Sequence, residues 1–272
     1  MCLSYIGGKS RIGKWIAGYI PSDIETYVEP FGGMYWVFFK MNPDSLINLK
    51  TVVYNDFNSL NTNFFKCISK KHKEVLEYMK DIPAQEKERF YEYQEEIFSD
   101  DLEMSDDGDV PVAVKYAYVL TQVWSGTNPD GASFIDLKGK YKSKFDTFRD
   151  KLANPKWTKL FEMITFVENM DFQEVIEKYD SPTTYVYLDP PYWKTEDYYS
   201  NHDFDRADHE RVAETLHKMK GKFSLSYYDF ELLHEWFPQE NYKWERREFA
   251  KAAGAKSGKK QSKGEELLIM NY

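Results

Sequence analysis

The sequence predicts an α/β fold: a mostly parallel sheet interrupted by a mainly helical insertion. Three observations predict it. Short apolar, β-branched segments recur at both ends of the chain, separated by helical patterns. The middle, residues 62–159, is dominated by helical periodicity instead. The run Thr184-Tyr185-Val186-Tyr187-Leu188 reads as a strand buried on both faces, and it stops abruptly at Asp189-Pro190-Pro191-Tyr192.

The elements follow in order. Tyr5-Ile6-Gly7-Gly8-Lys9 precedes a helix beginning near Ser10. Thr26 to Glu29 is a short strand ending at Pro30-Phe31-Gly32-Gly33, and Thr51 to Tyr54 is a second, ending at Asn55-Asp56. A long helical pattern carries Leu60, Phe64, Ile68, Val75, Leu76 and Met79 until Pro83 breaks it. Ala84 to Phe98 reads as a charged helix, and the acidic stretch to Asp109 as a loop. Val112 to Trp124 is an apolar helix. Ser125 to Lys144, rich in Gly, Asn, Asp, Ser and Lys, is a loop or short hairpin. Phe145 to Lys151 and Pro155 to Phe161 look helical. Strands return at Thr165–Val167, Thr184–Leu188, Phe223–Tyr227, Tyr242–Phe249 and Leu267–Tyr272. Asp205 to Lys220 is an amphipathic helix with Gly221 as its stop. The domain reading is therefore a sheet domain from residues 1–61 and 160–272, with an insertion over 62–159.

In parallel sheets ligands bind beyond the carboxyl ends of strands. There the DPPY tetrapeptide places a carboxylate, two prolines and an aromatic ring. The prolines stiffen the loop and remove two backbone donors. Asp189 and the Pro190 carbonyl are then two acceptors for the two N–H bonds of an amino group, and Tyr192 can stack on a planar ring. The glycines after the first strand allow close backbone approach. An acid, Asp56, follows the next strand, the arrangement that holds a ribose hydroxyl pair. No G-x-G-x-x-G or P-loop is present, which disfavours a dinucleotide or ATP.

Taken in order, several segments resemble the Dam-type family of DNA adenine-N6 methyltransferases, in the group whose recognition domain lies between the cofactor motif and the DPPY motif. They are Tyr5 to Lys9; Val28-Glu29-Pro30-Phe31-Gly32-Gly33; Asn55-Asp56; Asp171-Phe172; Tyr187 to Tyr192; Phe223 to Asp229; and Glu265 to Tyr272. The resemblance implies a Rossmann-like methyltransferase sheet with the insertion as its target-recognition domain. It implies S-adenosylmethionine as cofactor. Tyr5, Gly7 and Lys9 would contact it from the N-terminal segment. Glu29, Pro30, Phe31 and Gly33 would cradle its methionine and sugar end. Asp56 would hold the ribose, and Asp171 and Phe172 would frame the cofactor adenine. Asp189, Pro190, Pro191 and Tyr192 would act on a flipped-out target adenine in double-stranded DNA. Two departures stand out. The family usually follows its Phe-Gly loop with a small residue, whereas here Met34-Tyr35-Trp36 must turn away from the cofactor or narrow its pocket. Asn128 to Gly131 and Lys138 to Tyr141 match the family's DNA-reading loop only loosely, so a target sequence does not transfer.

Composition sets the remaining bounds. The chain has 272 residues with 42% apolar and 17% aromatic content, enough for a sizeable core and plentiful stacking surface. No apolar window is long enough for a membrane span, and no signal peptide is visible. With two cysteines and five scattered histidines, a cytoplasmic protein without a metal site is expected. The net charge of −9 argues mildly against nucleic acid, but its distribution does not. Glu95 to Asp109 carries eight acids and no base. Asp136 to Lys159 carries eight Lys/Arg against three acids, and Glu245 to Lys263 seven against two. Lys138, Lys140, Lys142 and Lys144 alternate, so an extended segment would aim all four at one phosphate rail. Oligomeric state is left open. Rival readings are amino-methylation of RNA adenine or of cytosine N4, and a non-catalytic DNA-binding protein on the same fold, the last kept alive by Met34-Tyr35-Trp36.

Overall fold

The computed structural model describes residues 3, 8–124, 128–136, 143–193, 204–250 and 263–272. Its strands are β1 Thr26–Glu29, β2 Thr51–Asn55, β3 Phe166–Glu168, β4 Thr184–Leu188, β5 Lys222–Tyr227, β6 Lys243–Ala250 and β7 Lys263–Met270. They form one sheet in the order β3-β2-β1-β4-β5-β7-β6. All neighbours are parallel except β7, which runs antiparallel to β5 and β6.

Alternation along each strand builds two cores, because successive side chains leave on opposite faces. Tyr27, Val52, Tyr54, Tyr185, Tyr187, Leu268 and Met270 pack on one face. Val28, Val53, Val186, Leu188, Leu267 and Ile269 pack on the other. The register matches these sets: Tyr27 lies opposite Val52 and Tyr185, and Val28 opposite Val53 and Val186. The second face is closed by α8 Phe172–Tyr179, α9 Arg206–Lys218 and α10 Glu231–Trp236 through Val175, Ile176, Val212, Leu216 and Leu233.

The first face is covered by α1 Gly13–Ala17 and by the helices between β2 and β3: α2 Ser59–Lys70, α3 His72–Met79, α4 Lys87–Ile97, α5 Val110–Gln122, α6 Lys144–Leu152 and α7 Pro155–Glu162. α5 is their axis and packs on α2, α3, α4 and α6. Asp109 caps its first turn by accepting from the Val112 N–H at 3.0 Å, and Pro111 stands where a free N–H is not needed. Phe64, Phe65, Tyr118 and Phe148 belong to the same apolar cluster as Tyr27 and Tyr54. The insertion thus continues the sheet's core, and the boundary drawn at residues 61/62 falls inside α2.

Three other expectations change. The helical pattern from Leu60 to Met79 is two helices, broken at Lys71, whose ammonium donates to the Gly108 carbonyl at 2.8 Å and pairs with Asp107 at 3.0 Å. Those tertiary contacts hold Lys71 out of the helical region where periodicity alone carries straight on. α8 and α10 are helices that the pattern left unassigned, being only eight and six residues long. Gly221 does not cap α9, whose C-cap is Met219. It is glycine because a Cβ there would lie 2.5 Å from the Thr184 carbonyl oxygen and 2.8 Å from that of Ser181.

Candidate active site at the sheet's switch point

β1 and β4 are neighbours, and the chain leaves them in opposite directions, through β2 and β3 on one side and β5, β7 and β6 on the other. Their carboxyl ends therefore open a crevice, the usual ligand position in doubly wound sheets.

On the β1 side the loop is tied down by backbone. The Gly32 N–H donates to the Asn55 carbonyl at 2.8 Å, and a Cβ on Gly32 would meet the Tyr54 ring at 2.4 Å. Gly33 adopts φ 47°, a left-handed conformation that glycine accepts without a Cβ penalty. Asp56 accepts the Gly33 N–H at 2.7 Å and the Asn58 N–H at 2.8 Å. Asn58, not Asp56, caps α2, accepting from the Leu60 N–H. Asn55 joins three strand ends. Its amide donates to the carbonyls of Pro30 at 2.8 Å and Met170 at 3.1 Å, and accepts from the Met170 N–H at 3.0 Å. Sequence reasoning placed Asn55 in a motif but gave it no role.

Met34, Tyr35 and Trp36 turn away from the crevice. Tyr35 is buried, stacks on Phe38 at 4.6 Å and donates to the Val53 carbonyl at 3.0 Å; Met34 is buried in the same core and Trp36 packs against it. Tyr35 has φ 56°, strained for a non-glycine residue, and this turn is what drives its ring inward. Of the two alternatives for these side chains, turning away is the one observed. Glu29 serves this turn: at 2% exposure it accepts from the Tyr27 hydroxyl at 2.5 Å and the Phe38 N–H at 3.1 Å. Burial pushes its carboxyl up to about 8. The sequence placed Glu29 among cofactor contacts; its carboxyl group is engaged in the core by Tyr27 and Phe38.

Asp171 caps α8 through the Gln173 N–H at 2.9 Å and takes both arms of the Arg211 guanidinium, at 2.8 and 3.3 Å. Phe172 stacks on Phe31 at 5.3 Å, lies 6.2 Å from Phe204, and carries Arg211 at 4.5 Å from its ring centroid. Arg211 had no signal in the sequence, since its site partners are forty residues away.

On the β4 side Lys9 reaches Asp189 at 2.7 Å and Glu266 at 3.6 Å. The three side chains are 8%, 17% and 1% exposed respectively. The Tyr192 hydroxyl donates to Glu266, and the Lys9 ammonium lies 4.8 Å from the Tyr192 ring centroid. Pro190 and Pro191 are buried beside them. Burial raises the Asp189 carboxyl above its ordinary range, against the pull of Lys9. Burial likewise lifts Glu266 to about 7, again opposed by Lys9. Lys9, placed by sequence with the cofactor, is thus held on the DPPY carboxylate. Glu266 stood in a motif without a role; the signal was an acid directly before the apolar run Leu267 to Met270.

Tyr5, Gly7, Lys138, Lys140 and Lys142 lie outside the described residues. Lys144 is described and does not extend an alternating run: it is the first residue of α6, which Ser143 caps by accepting from the Asp146 N–H at 2.9 Å. Among the described residues no three His, Cys, Asp or Glu gather as a metal site, and no helix is long and apolar enough to cross a membrane.

The model of the D12 class N6 adenine-specific DNA methyltransferases matches residues 5–249. The chain belongs to that family. As a D12-class enzyme it transfers a methyl group to the N6 amino nitrogen of adenine in DNA, which sets aside RNA adenine, cytosine N4 and a non-catalytic role. Curated relatives agree in kind. The chain is 24% identical to Type II methyltransferase M.CviBI of Paramecium bursaria Chlorella virus NC1A over 81% of this chain and 79% of the relative. It is 24% identical to Type II methyltransferase M1.LlaDCHI of Lactococcus lactis over 98% and 94%, and 24% identical to Type II methyltransferase M.MjaIII of Methanocaldococcus jannaschii over 99% and 98%. The D12-class match brackets the crevice from its N-terminal lysine to β6.

Proposed function

We propose that the crevice holds S-adenosylmethionine against β1 and β2 and the flipped-out adenine of double-stranded DNA against β4, and that Asp189 is the acceptor for the target amino group. The observation that carries this reading is the Lys9–Asp189 pair at 2.7 Å at the switch point. The donor set fits the cofactor. Half-buried Phe31 and Phe204, both packed on the buried Phe172, offer ring surface for an adenine, while Asp56 and Asp171 offer carboxylates for hydroxyl, amino and cationic groups. A phosphate-bearing cofactor would meet those carboxylates unfavourably. When bound, S-adenosylmethionine supplies an electrophilic methyl on a sulfonium.

The residues of the chain do the rest. The adenine amino nitrogen is a poor nucleophile because its lone pair is delocalised into the ring. Asp189, ionised beside Lys9, accepts one of its N–H bonds, and the Pro190 carbonyl accepts the other. Both favour a tetrahedral nitrogen with its lone pair free; the carboxylate stabilises the positive charge that grows there and accepts the N–H proton that the methylated nitrogen then sheds. Base extrusion costs a few kcal/mol, and stacking on Tyr192 offsets roughly 1–3 kcal/mol of it. The helices between β2 and β3 are the proposed recognition region, with Trp124, 70% exposed just beyond α5, offering a ring to DNA. Likeness to Type II methyltransferases supports action at a fixed sequence, and DNA as substrate supports a cytoplasmic location.

The test is Asp189→Ala. Methyl transfer should fall by about 10²-fold or more in kcat, while calorimetry shows the cofactor still binding. Turnover like that of the parent protein would overturn the assignment of Asp189.

A further inference from the structure

We propose that Glu266 is a positioning residue for methyl transfer: its carboxylate orients the Tyr192 ring and shares the Lys9 ammonium with Asp189, and so sets how strongly Asp189 accepts from the target amino group. This rests on the reading of Asp189 and Tyr192 as the adenine site. Glu266 touches neither cofactor nor base; it acts through the two side chains that do.

Glu266 stands on β7, across the antiparallel pair from β5, at 1% exposure. A buried carboxylate with nothing to hold is costly, and this one holds Lys9 and Tyr192 from distant parts of the chain as well as the Ser226 hydroxyl on β5. Tyr192 donates its hydroxyl to Oε1, and Lys9 lies 3.6 Å from the same oxygen. Tyr192 is thereby fixed at its tip, with its ring edge-on to Tyr228 at 4.4 Å. A stacking ring pinned at its hydroxyl loses less freedom when a base arrives.

The charged, titratable and hydrogen-bonding groups facing Glu266 come from every neighbouring element. Lys9 is on the N-terminal segment, Asp189 and Tyr192 follow β4, Tyr187 is on β4, and Ser226 and Tyr228 are on and beyond β5. On β6, Arg247 is its register partner, but the Arg247 guanidinium lies 5.7 Å from the Trp15 ring centroid. Two carboxylates therefore compete for one ammonium. With Glu266 ionised, Lys9 is shared and Asp189 is the stronger acceptor. With Glu266 protonated, Lys9 falls wholly to Asp189 and weakens it, because an acceptor already holding a cation has less to offer a second donor. Glu266 titrates near 7 because burial outweighs the pull of Lys9. The kcat of the wild type should accordingly rise with pH through about 7.

The experiment is kcat and KM against pH for the full chain, S-adenosylmethionine and a methylatable duplex, comparing wild type, Glu266→Gln, Tyr192→Phe and Asp189→Ala. Glutamine keeps the shape and an oxygen for the Tyr192 hydroxyl but removes the charge. Glu266→Gln should lose on the order of tenfold in kcat, the size expected of one charge-assisted hydrogen bond, with little change in cofactor KM. Its rise near pH 7 should vanish, leaving it at the low-pH level of the wild type. Tyr192→Phe should keep that rise while raising the KM for DNA. A folded Glu266→Gln enzyme with unchanged kcat, or with the rise still present, overturns the positioning role. Should Glu266→Gln be too unstable to assay, a rise retained in Tyr192→Phe supports the proposal and its loss there overturns it. If Asp189→Ala turns over normally, the underlying site reading has failed, and that result is distinct from the other two.

Discussion

Both oxygens of Asp56 already accept backbone N–H groups, from Gly33 and Asn58. Asp56 thus fixes the glycine loop at the place where the proposed site puts the ribose. Asp56→Ala should weaken S-adenosylmethionine binding by roughly 1.5–3 kcal/mol, the cost of removing a charged hydrogen bond. Calorimetric titration of the folded variant checks this, and an unchanged Kd would restrict Asp56 to holding the loop. Glu29 makes a different prediction. Its carboxyl titrates near 4.5 in a free chain and about 8 in the fold. Between those values the folded chain keeps a proton that the unfolded chain has released. Stability is then fully present below the unfolded value and is lost as pH rises through the folded one, at up to about 1.4 kcal/mol per unit. Glu266 adds a similar fall between 4.5 and about 7. Glu29→Gln keeps an acceptor for Tyr27 and Phe38 without the titration. Urea midpoints from about pH 5 to about pH 8 should fall less steeply for Glu29→Gln than for the wild type, and parallel curves would mean that Glu29 is ionised in the fold.

At the scale of elements, what was legible in the sequence was what a single strand or helix determines. Thr26–Glu29 and Thr184–Leu188 sit where their apolar, β-branched runs place them, because a strand buried on both faces has no other use for such a run. The amphipathic helix near residues 205–220 is α9, with Asp205 and Asp208 completing a capping box. What was not legible depends on partners far along the chain. Lys71 ends α2 through Asp107 and Gly108, and neither partner leaves a mark on local periodicity. Gly221 looks like a helix stop and is instead the point where two backbones touch. The candidate site divides in the same way. Asp189, Tyr192, Asp56 and the glycine loop lie at strand ends, where position alone suggests chemistry. The role of Glu266, and Arg211 altogether, enter only through tertiary contacts with Tyr192, Lys9 and Asp171. Tyr35 is the instructive case. Its size argued against a cofactor loop, and only its positive φ and the pocket formed by Phe38, Tyr54 and Phe65 explain its tolerance there.

At the scale of the whole molecule, a chain of net charge −9 must bind a polyanion through local cations. Many of the described basic residues already stand in ion pairs. Arg246 pairs with Asp229 at 2.8 Å and Glu265 at 2.7 Å, and Arg149 pairs with Asp146. Such pairs contribute little net positive field. The segment with lysines at 138, 140, 142 and 144 has no acid among its alternate positions, so it remains the leading candidate for phosphate binding. Lys144 is the first residue of α6, and a lysine at a helix start opposes the helix dipole. Its replacement should cost the fold nothing. Changing all four to Ala should flatten the dependence of log affinity on log salt by up to about 0.9 for each phosphate left without its lysine. Cofactor affinity should not move, since the crevice residues belong to strand ends. A lysine that reads a base would instead relax sequence preference while leaving non-specific binding in place. DNA affinity against salt, on methylatable and scrambled duplexes, separates the two. Identical slopes and affinities in the quadruple variant would remove this segment from the interface and turn attention to the basic run between Arg246 and Lys263.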